Sequence, residues 1–149
     1  MWLKATYFSS LVFAALALAP AMAHLLELPN KINLPREAYL TVQQIYRGWV
    51  LVGFVVAGAL LSTLALTITV RQERGAFSFA LIAFVCIAGT QVIFWIYTYP
   101  ANRATKNWTM LPENWIELRR QWEYSHATSA ILNLVALVAL ILSILTRVE

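Results

Sequence analysis

Four apolar segments separated by short polar links make up most of this chain. Each segment approaches the roughly 20 apolar residues that a helix needs to cross a bilayer. Because the link at 71–76 is very short, the second and third segments should form an antiparallel hairpin. The pattern predicts an all-α fold, a four-transmembrane-helix up-down bundle with its first helix beside its last and both termini on the same side of the membrane. The predicted segments are Ala5–Leu28, Tyr46–Val70, Phe77–Tyr99 and Ala127–Thr146.

The two longer links lie on one side of this bundle, and both carry a signal for the start of a helix. Pro35 is followed by Glu37, and Pro112 is followed by Glu113. Proline and an acidic residue in the first turn are typical of helix N-termini. We expect helices two and four to extend beyond the bilayer on this side, with helix two unbroken from its link. Pro100 is expected to end the third helix.

The composition agrees with one membrane-embedded domain over residues 1–149. The chain is 60% hydrophobic and 12% charged, whereas soluble domains carry about 25% charged residues. The net charge of +4 is modest, and the basic residues lie at segment ends, as membrane anchors do. The expected partner is therefore the lipid bilayer and not a nucleic acid. The single cysteine, Cys86, lies mid-segment and is expected to be an inert thiol.

A triplet of small residues in the first segment resembles a signal-peptidase site. Ala21-Met22-Ala23 precedes His24, and Lys4 lies ahead of the apolar run. Since the apolar run continues past this point to Leu28, the segment is long enough to span a bilayer. We expect the segment to be retained as the first helix.

Two mirrored motifs contain both histidines of the chain. His24 and Glu27 form H-x-x-E near the end of the first segment, and Glu123 and His126 form E-x-x-H before the fourth. Residues three apart share a helix face. In antiparallel helices the reversed order brings histidine level with histidine and glutamate level with glutamate, about 4.5 Å apart along the axis. Ionisable groups inside a membrane are costly, so their convergence predicts a functional site.

Several chemistries fit these four groups. His24, Glu27, Glu123 and His126 together could bind a single transition metal. The two histidines could instead ligate one heme. A third reading is a metal-free acid–base site, and a fourth is structural pairing of each histidine with a glutamate. A full di-iron site is not expected, because the other two helices lack the glutamates that it requires.

Other polar residues lie at the same end of the predicted bundle. Arg119 continues the stripe of His126, Glu123 and Trp122 along one helix face. Arg119 could pair with an anionic substrate oxygen or with Glu123, and the latter is the more common outcome at this spacing. Further candidates for substrate binding, besides Trp122, are Gln43, Arg47, Gln91 and Trp95.

Three stretches resemble a widespread family of small four-helix membrane proteins grouped with the anthrone oxygenases of polyketide pathways. They are His24–Pro29 with Tyr46-Arg47-Gly48-Trp49, Tyr99-Pro100-Ala101-Asn102, and the run from Leu118 to His126. The resemblance implies oxidation of an anthrone to an anthraquinone with O2 and no added cofactor. It points to Asn102, Arg119, Trp122 and His126 as site residues.

Three functions therefore remain open. The first is an O2-using oxidoreductase that acts on a lipophilic aromatic substrate, in which a histidine removes a proton and Arg119 and Asn102 stabilise the developing oxyanion. The second is a heme- or metal-binding protein with His24 and His126 as ligands. The third is a non-catalytic membrane subunit whose polar end docks a protein partner.

Overall fold

Four long helices dominate the computed structural model, which describes residues 1–147. Each is long and apolar enough to cross a membrane, as expected of an integral membrane protein. The predicted all-α class is confirmed. The helices are α1 (Trp2–Lys31), α2 (Arg36–Gln43), α3 (Val52–Thr69), α4 (Arg74–Ile93), α5 (Tyr99–Ala104) and α6 (Trp115–Leu145).

The long helices pack in a closed ring. α1 packs against α3 and α6, and α4 packs against the same two helices. Consecutive long helices are therefore neighbours, and the first lies beside the last, as an up-down bundle requires. This arrangement brings the two mirrored motifs, one on α1 and one on α6, to a shared interface.

The half of the bundle that contains neither motif is held together by small residues. Its buried core is rich in alanine, including Ala14, Ala59, Ala80 and Ala136, all at most 1% exposed. Small side chains let helix backbones approach closely, which is how helices pack in a bilayer, where burial of apolar surface contributes little. This half serves as the rigid frame for the polar end.

The first long link folds differently from the prediction. α2 begins just after Pro35, as expected, but the chain does not continue as one helix into α3. Two single 3-10 turns, Gln44–Tyr46 and Trp49–Leu51, lie between them. Gly48 separates the turns with φ of +83°, a conformation that favours glycine. The predicted unbroken extension of helix two is therefore wrong.

Pro100 does not end the third helix, contrary to expectation. α4 continues through a π-helical turn, Phe94–Thr98, directly into α5, where Pro100 occupies the first turn. Proline is tolerated inside a membrane helix where a local π-helical adjustment pairs the backbone groups that it leaves free. The helix therefore reaches Ala104 and carries Asn102 to the polar end.

The second long link folds over the polar end and leads into α6. α6 begins at Trp115 and runs unbroken, which confirms the predicted extension of the fourth helix. Residues 106–108 take the rare left-handed conformation. Gln44 donates to the Trp108 carbonyl at 3.0 Å and Arg36 to the Leu111 carbonyl at 2.9 Å. These bonds tie the link to α2 and form a cap over the bundle.

Candidate functional site

The two histidines lie face to face at the α1–α6 interface. The ring centroids of His24 and His126 are 4.2 Å apart, and the ring planes differ by 23°. The two imidazoles therefore lie at the same level along α1 and α6, as predicted. His24 is 4% exposed, and its Nδ1 has no hydrogen-bond partner within residues 1–147. The pair therefore keeps a buried nitrogen free to bind a ligand or a proton.

Aromatic rings enclose the imidazole pair. The Trp122 ring lies 4.2 Å from the His126 ring and 5.0 Å from the His24 ring, edge to face with both. Tyr46 lies 4.6 Å from His24 on another side, and Trp49 lies 5.7 Å away. Tyr46 and Trp49 come from the two 3-10 turns around Gly48, so the interruption between α2 and α3 places them over His24.

Asn102 holds Trp122 in place. Its Oδ1 accepts a hydrogen bond from Trp122 Nε1 at 2.9 Å and another from Trp108 Nε1 at 3.1 Å. Both indoles are at most 4% exposed, so each N–H would otherwise be buried without a partner. Asn102 therefore acts on the imidazole pair through Trp122, with its carbonyl oxygen already in use.

The two glutamates of the mirrored motifs do not contact the histidines; both contact Lys31. Lys31 Nζ lies 3.3 Å from Glu27 Oε2 and 3.3 Å from Glu123 Oε1. It also donates to the Tyr46 hydroxyl at 2.6 Å, and Tyr46 in turn donates to Glu27 Oε2 at 2.6 Å. The ammonium therefore has three oxygen neighbours within 3.3 Å. Lys31 is 3% and Glu123 0% exposed, so this is a buried ion cluster.

A second chain of hydrogen bonds joins this cluster from α2. The Tyr39 hydroxyl donates to Glu123 Oε1 at 2.9 Å and accepts from Gln43 Nε2 at 2.6 Å. Burial, reinforced by the neighbouring Glu123 carboxylate, raises the pKa of Tyr39 far above its usual value. Burial and the hydrogen bond to Glu27 do the same to the pKa of Tyr46. Both phenols therefore remain protonated donors.

Arg119 does not pair with Glu123, contrary to the more common outcome for this spacing. Its Nη1 donates to the Leu34 carbonyl at 2.7 Å. Its guanidinium lies 4.7 Å from the centre of the Trp115 ring and 5.3 Å from that of Tyr39. Lys31 occupies the position beside the Glu123 carboxylate instead. Arg119 thus connects α6 to the start of the cap.

The predicted four-ligand metal centre is not formed. Among residues 1–147 no group of three or more His, Cys, Asp or Glu side chains lies close enough to hold a metal ion. The carboxylates of Glu27 and Glu123 are bound to an ammonium one helical turn from the imidazoles.

The imidazole pair does not fit a heme iron either. Axial imidazoles face one iron from opposite sides with bonds of about 2 Å, which holds their centroids roughly 6 Å apart. The centroids of His24 and His126 are closer, 4.2 Å apart, and the rings are stacked.

Three of the predicted substrate-binding residues lie away from the imidazole pair. Arg47 is exposed and lines a cleft of about 300 Å³ on the surface of the cap. Trp95 is 61% exposed and packs against Phe94. Gln91 is half-buried and donates to the adjacent Thr90 hydroxyl at 3.2 Å. Gln43 does reach the site region, through Tyr39.

Lys31, Tyr39 and Tyr46 are site residues that the sequence analysis did not identify as candidates. Lys31 is four residues from Glu27 and seven from His24, a spacing that places all three on one helix face. That signal was available, but only once the first helix is extended past Leu28 to Lys31. Tyr39 carried no comparable signal, because its contact with Glu123 joins residues 84 positions apart.

Comparison with family models, curated proteins and solved structures found no match to this chain.

Proposed function

We propose that this chain is a membrane-embedded oxidoreductase that uses O2 to oxidise a lipophilic, aromatic substrate, as its resemblance to the anthrone oxygenases implies. The observation that carries the proposal is the stacked pair of His24 and His126 with a free, buried nitrogen on His24. A buried imidazole with an unused nitrogen can take a proton from an acidic C–H or phenol. The aromatic rings around it offer flat surfaces to a planar substrate.

The reaction requires an oxidant, a base and a path for one proton. An imidazole removes a proton from the activated methylene group of the substrate and becomes an imidazolium. The carbanion gives an electron to O2, and the resulting pair combines into a carbon-bound peroxide anion. The imidazolium returns its proton to the peroxide, which then loses water to leave a carbonyl group. In sum, one methylene group and one O2 molecule become one carbonyl group and one water molecule, with the base regenerated.

The surroundings of the pair support this chemistry over a role in binding metal. The carboxylates that would serve as further metal ligands are bound to Lys31. Since they do not contact the imidazoles, nothing acidic competes with a substrate proton for the free nitrogen. Asn102 acts in this scheme as a positioning residue, because its oxygen is bound by two indoles. Only the amide N–H groups of Asn102 remain available to stabilise the developing oxyanion.

The proposal also includes a membrane arrangement. The site lies at one membrane surface, where the cap folds over the bundle. Four spans return the chain to its starting side, so both termini lie at the opposite surface.

The test is O2 uptake by the protein in lipid nanodiscs with an anthrone as substrate. Uptake above that of empty nanodiscs is expected, with formation of the matching quinone. General acid–base catalysis contributes roughly 10²–10⁴-fold, so His24→Ala and His126→Ala should each lower the rate about 100-fold or more while the bundle stays folded. Tyr124→Phe is the matched control, because Tyr124 lies on α6 near His126 but is 55% exposed.

Two results would count against this function. One is O2 uptake no faster than in empty nanodiscs for anthrones and related phenols. The other is full activity in both histidine variants, which would mean that the oxidation occurs elsewhere. Loss of thermal stability with retained activity in those variants would assign the histidines a structural role instead.

A further inference from the structure

A chain of two short hydrogen bonds and one ion-pair contact leads from the partly exposed surface of α1 to a fully buried carboxylate on α6. It begins at Glu27, whose side chain is 37% exposed. It passes through the Tyr46 hydroxyl and Lys31 Nζ, with two links of 2.6 Å. It reaches Glu123, 0% exposed, over 3.3 Å. Each link joins a donor to an acceptor, and the chain connects two helices with the turn between α2 and α3.

The charges along this chain leave room for one extra proton. A single ammonium, that of Lys31, lies between two carboxylates. Arg119, one helical turn before Glu123 on α6, has its guanidinium over the Tyr39 ring and forms no ion pair with Glu123. Glu123 Oε2 is buried with no hydrogen-bond partner within residues 1–147. A buried oxygen in this state is a natural place for a proton, since a carboxyl that takes one up needs no second cation.

We propose that Glu27, Tyr46, Lys31 and Glu123 form a proton relay that exchanges protons between solution and the buried carboxyl of Glu123. Intramembrane chains of carboxylates and their partners are the usual form of such relays. The chain ends one helical turn from His126, because Glu123 and His126 are three residues apart on α6. The ligand of this site is the proton itself.

The transfer can be written so that every bond is accounted for. Lys31 Nζ first gives a proton to the Tyr46 oxygen and, now an uncharged amine with a free electron pair, takes the proton of the Glu123 carboxyl after that group turns its O–H toward Nζ. Tyr46 passes its hydroxyl proton to Glu27 Oε2, which releases it to water. Four bonds to hydrogen break and four form, counting the release from Glu27 to water. Lys31 ends as an ammonium and Tyr46 as a phenol, so only the proton has moved.

The directions of the two hydrogen bonds beyond Lys31 agree with this sequence. Lys31 donates to Tyr46, and Tyr46 donates to Glu27. The raised pKa of Tyr46 keeps its hydroxyl protonated. Tyr46 therefore conducts by taking one proton as it gives another, with no free tyrosinate.

The relay itself is independent of the reaction. Its use as the exit for a proton taken at the imidazole pair rests on the proposed function. For this reason the experiment uses the resting protein without substrate, so that a failed oxidation assay and a failed relay are separate results.

The test is infrared spectroscopy of the protein in nanodiscs after transfer into heavy water. As the pH is lowered, the C=O stretch of a protonated, buried carboxyl should appear, and Glu123→Gln should remove it. If that variant does not fold, ¹³C-glutamate labelling together with Glu27→Gln assigns the band, because Glu27→Gln must leave it in place. The rate at which deuterium shifts this band measures exchange at Glu123.

Lys31→Arg is the decisive variant. Arginine keeps the charge and the donors but does not give up a proton in proteins. Exchange at Glu123 should then depend on local opening of the structure and slow by about tenfold or more. Tyr46→Phe should slow it by a smaller factor, because Lys31 also contacts Glu27 directly at 3.3 Å. Tyr124→Phe is the control and should exchange at the wild-type rate.

Two outcomes would overturn the relay. The first is a wild-type exchange rate in both Lys31→Arg and Tyr46→Phe. The second is the absence of any protonated carboxyl band that Glu123→Gln removes. Slow exchange in both relay variants with normal exchange in Tyr124→Phe would support it, whether or not the protein oxidises an anthrone.

Discussion

Removal of the Lys31 ammonium is the sharpest test of the ion cluster. Lys31→Met keeps the length and apolar stem of the side chain but leaves two carboxylates without their shared cation. Glu123 is affected most, because it is 0% exposed and Tyr39 is then its only partner among the described contacts. We expect the variant to fold and to be clearly less stable.

The size of the loss follows from how deeply each carboxylate is buried. Breaking a buried ion pair by removing one partner costs about 3–5 kcal/mol. The contact with Glu27, 37% exposed, contributes only about 0–1 kcal/mol. Uptake of a proton by the stranded carboxyl reduces the total cost, so we expect a loss of about 2–4 kcal/mol.

A double-mutant cycle separates the Lys31–Glu123 pair from everything else that Lys31 does. Glu123→Gln removes the charge and keeps the shape, so Lys31→Met should cost far less in that background. We expect a coupling of about 2 kcal/mol. The assay is unfolding in mixed micelles followed by tryptophan fluorescence, with Glu27→Gln as the exposed counterpart that should couple weakly. Additivity of the two substitutions within about 0.5 kcal/mol would refute the reasoning.

Two further predictions concern the residues around the cluster. Asn102→Ala should destabilise the protein by about 1–3 kcal/mol for each indole N–H left unpaired. Asn102→Asp should restore most of this loss. Equal thermal midpoints for the two variants would contradict the role of Asn102 Oδ1 as the acceptor for both indole N–H groups. The raised pKa of Tyr39 means that the folded state holds the phenol proton more tightly than the unfolded state does. The contribution of this proton to the free energy of unfolding is therefore complete below about pH 10 and is lost as the pH rises further. The free energy of unfolding should therefore fall above about pH 10, and less steeply in Tyr39→Phe; parallel slopes would show that Tyr39 is not responsible.

The position of the histidines could be predicted because it depends only on local rules. Residues three apart share a helix face, and four spans with short links favour a bundle that closes with its first helix beside its last. These two rules are sufficient to bring His24 level with His126. The contact does not depend on the details of any loop, so the sequence pattern identifies it well.

The partners of the glutamates could not be predicted in the same way. Their neighbour Lys31 lies just past the predicted end of the first segment, where a lysine is usually a membrane anchor. Helix α1 instead continues to Lys31, and that extra turn directs the ammonium into the bundle. Tyr39 and Tyr46 depend on how the first long link folds, which the interruption at Gly48 decides. A hydrophobic pattern does not report a single residue with positive φ.

Arg119 illustrates a choice between two partners that the spacing alone does not decide. An i, i+4 arginine and glutamate pair often on an exposed helix, with a gain of about 0.3–0.5 kcal/mol. In this bundle the carboxylate of Glu123 is already bound by Lys31 and Tyr39. Arg119 instead donates to the Leu34 carbonyl and lies over the face of Trp115.

The reversed order of the two motifs explains why the site separates into two layers. Had both motifs read H-x-x-E, antiparallel helices would have placed each histidine beside a glutamate, and the pairs would have neutralised each other. The mirrored order instead puts like beside like. The glutamate layer then requires a cation, which Lys31 provides. The imidazole layer is left with aromatic neighbours and no carboxylate, so the nitrogen of His24 stays free because the acids are held one turn away.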